Sequence, residues 1–491
     1  MEGESPVGEE LSGLLTSYPG APETTVVHWK DGSATLTEVT EAVRDLAFDL
    51  GGVRRAPVAC IVDRGIDAVV GMFATWIVGG VYVPVNSRLP EAELQRQLTD
   101  IGPAALIVGG ARVRSADGRS IAPAAFPEDA ALVMRTSGTT GAAKPVVLRH
   151  RAVLEGIDTV IARLRGSARD GAERDRPAMP NLVPTSLALW AGIWNTLFAF
   201  RLGAPVVLLD RFDALDYATA VKRFGIKSTV LAPAMMSMLL TDPRIEDLKP
   251  LRMVRSVTAP LVPDQARRFH QRFGVDVLNS YGQTELGGEV VGWSSADLRQ
   301  FGEAKLGAVG RPHSGISVRI LDEEHREVPT GEVGEVYVHS PFATTLPPDR
   351  LVDGALRTGD LGRLDEDGFL WIEGRVSDMI NRGGLKIVPQ DVEAALRGHP
   401  RVADACVAGV PDERLGEVPV AWVIPEPASA SGEPTEQELR SFLRDRLAPY
   451  QVPVAVRLLM EDFPRNEIGK VLRRELAAGY KPLPELEGDA R

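Results

Sequence analysis

Cysteine is nearly absent from this chain, with two residues, Cys60 and Cys406, among 491. That excludes a disulfide framework, and both thiols sit in apolar surroundings where buried, reduced side chains are expected. Positive charge is in deficit: 55 Lys and Arg face 67 Asp and Glu, a net charge of −12. A chain-wide nucleic-acid or anionic-membrane surface is thereby excluded. Any anion site must be local, which suits a small phosphorylated ligand. Long unbroken apolar runs are also lacking. The stretch 68–86 is interrupted by Gly79, Gly80 and Pro84, and 177–200 contains Pro180, Asn181, Pro184 and Asn195. Each reads as a buried strand plus a buried helix and not as a membrane span. The acidic start, MEGESPVGEE, has no apolar stretch, so no signal peptide and a cytoplasmic location are expected. No internal repeat is found.

What is present is ordinary globular material, 44% hydrophobic and 25% charged, long enough for two to four domains. Residues 1 to about 20 read as a loose arm. Beyond them strand and helix patterns alternate. Strands are expected at 26–29, 58–62, 81–85 and 105–108, and helices at 35–50, 66–78 and 91–100. The strands are apolar throughout, the mark of a parallel-rich sheet covered on both faces. The alternation runs to about residue 278, with strands near 205–209, 228–231 and 253–257. The charged segment SARDGAERDR inside 166–176 reads as a solvated loop. After Gly310 short strands with turn signals, 316–321, 334–339 and 369–373, predict a β-rich subdomain over about 310–376. A small α+β domain follows over 377–491, with helices at 389–396 and 436–447 and strands at 403–410, 418–424 and 455–459. The fold class is thus α/β: a large N-terminal domain, 1–376, followed by the small one.

The stretch that concentrates chemistry is LVMRTSGTTGAAKPV, residues 132–146. A buried strand ends in a loop carrying Thr136, Ser137, Gly138, Thr139, Thr140, Gly141 and Lys144. The glycines let backbone amides approach an anion with no Cβ in the way, and successive N–H groups make a concave anion site. Hydroxyls add donors, and Lys144 adds a compact positive charge. A Gly/Ser/Thr surface loop has the same composition; the order strand, hydroxyl–glycine loop, Lys favours phosphate. It is not the Walker pattern, because no Gly-Lys-Ser/Thr opens a helix.

Further on, Tyr281, Gly282, Gln283, Thr284 and Glu285 (YGQTE) follow the apolar VDVLNS. The ring suits stacking on a base, and the carboxylate suits Mg2+, a hard cation preferring oxygen. Thr358-Gly359-Asp360 presents an Asp fit to accept from a ribose diol. The stretches GRVSDMINRGGLKIVPQDVE (374–393) and PRNEIGKVLR (464–473) complete the set. Each alone is an ordinary turn or a solvated Lys.

Together these motifs, in order and from about residue 20 to 475, resemble the adenylate-forming superfamily: acyl- and aryl-CoA synthetases, peptide-synthetase adenylation domains and luciferases. The resemblance implies that the 136–144 loop holds the β- and γ-phosphates of ATP, with Thr140 and Glu285 at Mg2+. It implies that Tyr281 stacks on adenine, with Thr258, Ala259 and Pro260 lining its other side, and that Gly282, Gln283 and Thr284 belong to the nucleotide site. Asp360, helped by Arg375, binds the ribose hydroxyls. Lys470 contacts the acid carboxylate and the α-phosphate. Asp378 is the hinge of a mobile C-terminal domain. Gly383, Gly384 and Lys386 face the site after rotation, when a thiol attacks. Lys470, Lys144 and Glu285 carry the catalytic roles, and CoA or a phosphopantetheine thiol is the acceptor.

Departures from the family pattern cluster at the acid end. The phosphate loop closes with Ala143-Lys144-Pro145, and Val257-Thr258 stands where Gly-Gly or Gly-Ala is usual before Ala-Pro. The window VPTSLALWAG (183–192) has neither the His that many CoA ligases carry near Leu187 nor the Asp of amino-acid adenylation domains. That argues against an α-amino acid. Leu187, Trp190, Trp194, Val257, Thr258 and Gly282 are expected to line the substrate pocket, which Trp190, Trp194, Met235 and Met236 would make apolar and aromatic-accepting; core packing is the competing role of those four side chains. The leading expectation is a carboxylate–CoA ligase. A stand-alone enzyme loading a carrier protein, and a ligase-like enzyme activating nitrite to diazotise an aromatic amine, are the alternatives. A non-catalytic nucleotide-binding homologue is disfavoured because Lys470, Glu285 and Asp360 are all present.

Overall fold

The computed structural model describes residues 10–109, 112–115, 126–136, 144–166, 178–344, 350–426, 432–465 and 471–480. They fall into two compact units. The first takes Met1–Val318, Val338–Arg357 and Gly368–Leu370, and the second takes Arg319–Tyr337, Thr358–Asp367 and Trp371–Arg491.

The first unit is built on four sheets. The largest has six strands in the order Arg112–Ser115, Ala105–Val108, Pro57–Val62, Val81–Asn86, Ala130–Thr136, Lys144–Arg149. Its centre is parallel, as the continuous apolar strands require. Both edges are antiparallel. A four-stranded sheet orders Gly32–Thr35, Thr25–Trp29, Val206–Leu208 and Asn181–Val183. Its last three strands are parallel. Helices Leu36–Leu50, Gly65–Ile77 and Trp190–Leu202 contribute to one apolar core with these two sheets. Thr35 opens the first of those helices with a capping box to Glu38. A second core surrounds the three parallel strands Ser228–Leu231, Met253–Ser256 and Asp276–Leu278. The fourth sheet, Ser280–Gln283, Gly288–Gly292 and Arg311–Pro312, is antiparallel.

The second unit takes most of a five-stranded sheet, Ser317–Leu321, Gly334–His339, Leu351–Val352, Ala355–Leu364 and Leu370–Arg375. It also holds a second five-stranded sheet on the long pair Val402–Asp412 and Gly416–Pro425. Alternation along the 402–412 strand feeds two cores. Ala405 and Val407 face helices Pro389–Arg397 and Glu436–Arg444, while Cys406, Ala408 and Val410 face the helix Arg473–Ala478.

The alternating pattern of the sequence therefore stands, with two corrections. The start of the chain is not loose throughout: Leu11, Leu14, Leu15 and Tyr18 are buried in the main core. The antiparallel edge strands were not expected, because a short edge strand carries little apolar signal. The stretch 68–86 is a helix and a strand, and among the described residues no helix is long and apolar enough to cross a membrane. Cys60 and Cys406 are buried and free, and burial pushes each thiol up to about 12. Most of the charged 166–176 segment lies outside the described residues.

The packed arm has a consequence for pH. The Leu11 amide donates to His150 Nδ1 at 3.1 Å, so that nitrogen is unprotonated. Burial pushes the ring down to about 4, against a weak opposing pull from Asp129. The unfolded ring titrates near 6.5. Because the folded pKa of this base is depressed, its contribution is complete above about pH 6.5 and is lost as pH falls towards 4, roughly 3 kcal/mol in all. His150→Asn is expected to flatten this part of the stability profile. Urea midpoints of both proteins between pH 7 and pH 4.5 test it, and an equal acid loss in the variant would refute the assignment.

Candidate active site

The phosphate-loop strands form a hairpin. Thr136 pairs with Lys144 and Arg135 with Pro145. Ser137, Gly138, Thr139, Thr140 and Gly141 lie outside the described residues. Pro145 stands on the outermost strand of the six-stranded sheet, where a missing N–H is tolerated. This accounts physically for the unusual Pro.

The YGQTE stretch is likewise a strand and a turn. Ser280–Gln283 pairs antiparallel with Gly288–Gly292, with a one-residue slip between Tyr281 and Gly282. Thr284–Leu286 is a 3-10 turn closed by Gly287 at φ 84°. Gly282 is required by close approach: a Cβ there would stand 2.0 Å from the Gly288 carbonyl oxygen. The segment after residue 339 is tied to this turn. Thr344 N–H donates to the Glu285 carbonyl at 2.9 Å, and Ser340 Oγ donates to the Leu286 carbonyl at 3.2 Å.

Glu285 is mostly buried, and its carboxylate accepts from Arg350 Nη1 at 3.2 Å. Arg350 escaped sequence reading, since nothing in PPDR marks it as a partner of residue 285. Among the described residues no three His, Cys, Asp or Glu side chains gather as a metal cage. One carboxylate with a second oxygen still to offer fits Mg2+ shared with phosphate oxygens and water.

Thr258 adopts φ 74°, a left-handed conformation rare for a β-branched residue. Gly would enter it freely. Ser280 Oγ donates to the Ser256 carbonyl at 2.8 Å, joining the strand before Val257, Thr258, Ala259 and Pro260 to the strand bearing Tyr281. The indole nitrogens of Trp194 and Trp190 lie 3.3 and 3.5 Å from where a Gly288 Cβ would stand. Trp190 Nε1 is buried without an acceptor among the described residues. Trp194 stacks on Phe198 at 5.2 Å and 16°. Leu187 and Trp190 belong to the main core, whereas Met235 and Met236 belong to the core around the three-stranded sheet. The structure thus brings Trp190, Trp194 and the YGQTE hairpin together and leaves the two methionines in another core.

In the second unit Asp360 is buried and Arg375 Nε contacts its carboxylate at 2.9 Å. Gly359 lies inside the strand Ala355–Leu364 at φ 77° and not in a turn, and the Asp360 amide donates to Thr358 Oγ1 at 3.1 Å. Asp378 ends the 3-10 turn Val376–Asp378 and lies 3.8 Å from Arg473 Nη1. Burial opposes the charge on Arg473, but the Glu393 carboxylate at 2.5 Å more than offsets this and raises its pKa. Gly383 and Gly384, at φ 59° and 88°, make the two-residue turn between Ile380–Arg382 and Leu385–Ile387. Lys386 pairs with Glu323. Lys470 lies outside the described residues; Arg465 and Val471, on either side, form an antiparallel bridge.

The chain is 33% identical over 367 residues to a fatty acid–acyl-carrier-protein ligase of Streptomyces coeruleorubidus, covering 71% of this chain and 67% of that one. It is 29% identical over 517 residues to an indoleacetate–CoA ligase of Aromatoleum aromaticum, covering 95% and 97%. The solved o-succinylbenzoate CoA synthetase of Bacillus subtilis, in complex with its acyl-adenylate intermediate, superimposes with a TM-score of 0.78 at 26% identity, over 94% of this chain and 97% of that one. Residues 17–345 match the AMP-binding enzyme family and residues 391–470 its C-terminal domain, and the chain belongs to that family.

Proposed function

We propose that this enzyme activates an aryl or arylacetic acid with ATP and passes the acyl group to the thiol of CoA. It is an AMP-forming acid–thiol ligase. A carboxylate oxygen attacks the α-phosphorus in line, and pyrophosphate leaves. Two anions must meet, so positioning and charge neutralisation supply most of the catalysis. Lys470 offsets the charge that builds on the α-phosphoryl oxygens. The 136–144 loop, with Lys144, holds the β- and γ-phosphates. Tyr281 and residues 258–260 take adenine, and Asp360 with Arg375 takes the ribose. Mg2+, when bound by Glu285 and Thr140, neutralises phosphate charge. The small domain, 377–491, turns at Asp378 after the first step, withdrawing Lys470 and bringing Gly383, Gly384 and Lys386 to the thiol reaction. The enzyme works in the cytoplasm.

The observation that carries the aromatic substrate is the pair of indoles, Trp190 and Trp194, against the YGQTE hairpin at Gly288. The window 183–192 also offers no charged group to meet an α-ammonium. ATP–pyrophosphate exchange across aryl, aliphatic and α-amino acids tests this, with CoA then added to the acids that react. Aryl acids are expected to support exchange and to yield thioesters; exchange confined to aliphatic or amino acids would overturn the reading. A carrier-protein thiol is the second reading, supported by the likeness to the acyl-carrier-protein ligase. CoA and a pantetheinylated carrier, offered separately, distinguish the two.

A further inference from the structure

Beside the proposed adenine site lies a buried ionic network that the chemistry above does not use. Arg255, on the strand Met253–Ser256, reaches Glu289, on the strand Gly288–Gly292, at 2.7 Å through Nη1. Its Nη2 donates to the Trp293 carbonyl at 3.1 Å. The same oxygen of Glu289 meets His313 Nε2 at 2.9 Å, and His313 N–H donates to the Val290 carbonyl at 2.9 Å. The three side chains are only 20%, 14% and 4% exposed. A Cβ on Gly292 would meet Glu289 Oε1 at 2.4 Å and Arg255 Nη1 at 2.7 Å, so glycine leaves the room that the ion pair occupies.

A buried ion pair is a poor device for stability, since apolar residues of similar volume do as well or better. It is a good device for fixing how two strands meet. Three residues beyond Arg255 is Thr258, held at φ 74°. Opposite Glu289 in register is Gly282, next to the slip after Tyr281. A strained φ and a register slip both persist only where the surroundings over-determine them.

We infer that Arg255, Glu289 and His313 form a positioning clamp that sets the spacing between the two walls of the adenine site, Thr258–Pro260 on one side and Tyr281–Gly282 on the other. The clamp touches no reacting atom. The inference rests on the assignment of adenine to these two segments. It predicts that loosening the clamp weakens nucleotide binding without slowing chemistry or weakening acid binding.

Two variants test it in pyrophosphate exchange: Glu289→Gln, and the double replacement Arg255→Met with Glu289→Leu, which removes both charges and restores apolar packing. In both, KM for ATP is expected to rise about tenfold, with kcat and the acid KM within about twofold of the parent and discrimination against GTP reduced. The double variant is expected to recover the parent's thermal midpoint while keeping the raised KM. A double variant with the parent's midpoint and the parent's KM for ATP would overturn the clamp, as would parallel loss of kcat and acid affinity. Calorimetric titration of the parent with ATP, alongside Tyr281→Ala, separates the two levels. If neither shows an adenine contact at Tyr281, the site assignment fails. If Tyr281→Ala raises KM for ATP and the clamp variants do not, the clamp alone fails.

Discussion

Lys470→Ala is expected to abolish adenylate formation, by roughly 10²–10³-fold, while largely sparing thioester formation from supplied acyl-adenylate. The argument is one of charge and timing. In the first half-reaction an anionic carboxylate approaches an anionic phosphate, and the α-phosphoryl oxygens gain charge as the pentacoordinate state is approached. A lysine placed there is worth far more in that state than in the ground state. In the second half-reaction the thiol sulfur bonds to the acyl carbon, the mixed-anhydride C–O bond breaks and AMP leaves; attack is at carbon and not at phosphorus, so less is asked of the same cation. The bridge between Arg465 and Val471 brackets the segment that carries Lys470. Arg473, just beyond it, is anchored by Glu393. Pyrophosphate exchange measures the first step, and thioester release from synthetic adenylate and CoA measures the second. Equal loss of both would sink the assignment of Lys470 to one half-reaction.

What sequence reading could reach follows from what each residue's signal depends on. The central strands were legible because a strand buried on both faces must be apolar throughout, and VACIV at 58–62 or LIV at 106–108 leave little else to be. The helix over 389–396 was legible from Pro389 at its start and apolar spacing after it. The buried part of the arm was not, because Leu11, Leu14, Leu15 and Tyr18 follow a run of acidic and small residues and precede a proline. Their burial depends on a helix nearly two hundred residues away, Trp190–Leu202, where Phe200 meets Tyr18 edge-on at 5.5 Å. The same holds at the site. Family-like motifs made Glu285 and Asp360 visible, and Arg375 with them. Arg350, Arg255 and His313 were invisible, since a cation in an unremarkable stretch gains meaning only from the carboxylate that folding brings to it. Thr258 shows the converse: its departure from the usual Gly or Ala was plain in the sequence, but the positive φ that makes the departure matter is a property of the folded backbone.

Two glycines at the proposed nucleotide site should respond very differently to the same added methyl group. Gly359 sits at φ 77° with no atom of the described residues within 4 Å of where a Cβ would stand. Gly359→Ala therefore meets only backbone strain, about 1–2 kcal/mol, and Asp360 keeps its Thr358 and Arg375 contacts; activity is expected to fall less than about tenfold. Gly282 has no positive φ to protect, but its Cβ would meet the Gly288 carbonyl oxygen at 2.0 Å, the carbonyl carbon at 2.7 Å and Glu289 Cα at 2.8 Å. All three are backbone atoms of the paired strand, so no side chain can swing aside. The hairpin must open, and with it move Tyr281, the turn that aims Glu285, and Gly288 beneath Trp190 and Trp194. A displacement of about 1 Å at reacting groups is worth roughly 10²-fold in rate, so Gly282→Ala is expected to lose at least that much of the ATP-dependent step. Exchange rates and thermal midpoints of the two variants decide the matter. If Gly282→Ala keeps parental activity, the hairpin is not what aims the site; if the two variants fall equally, strain and not close approach is the governing term.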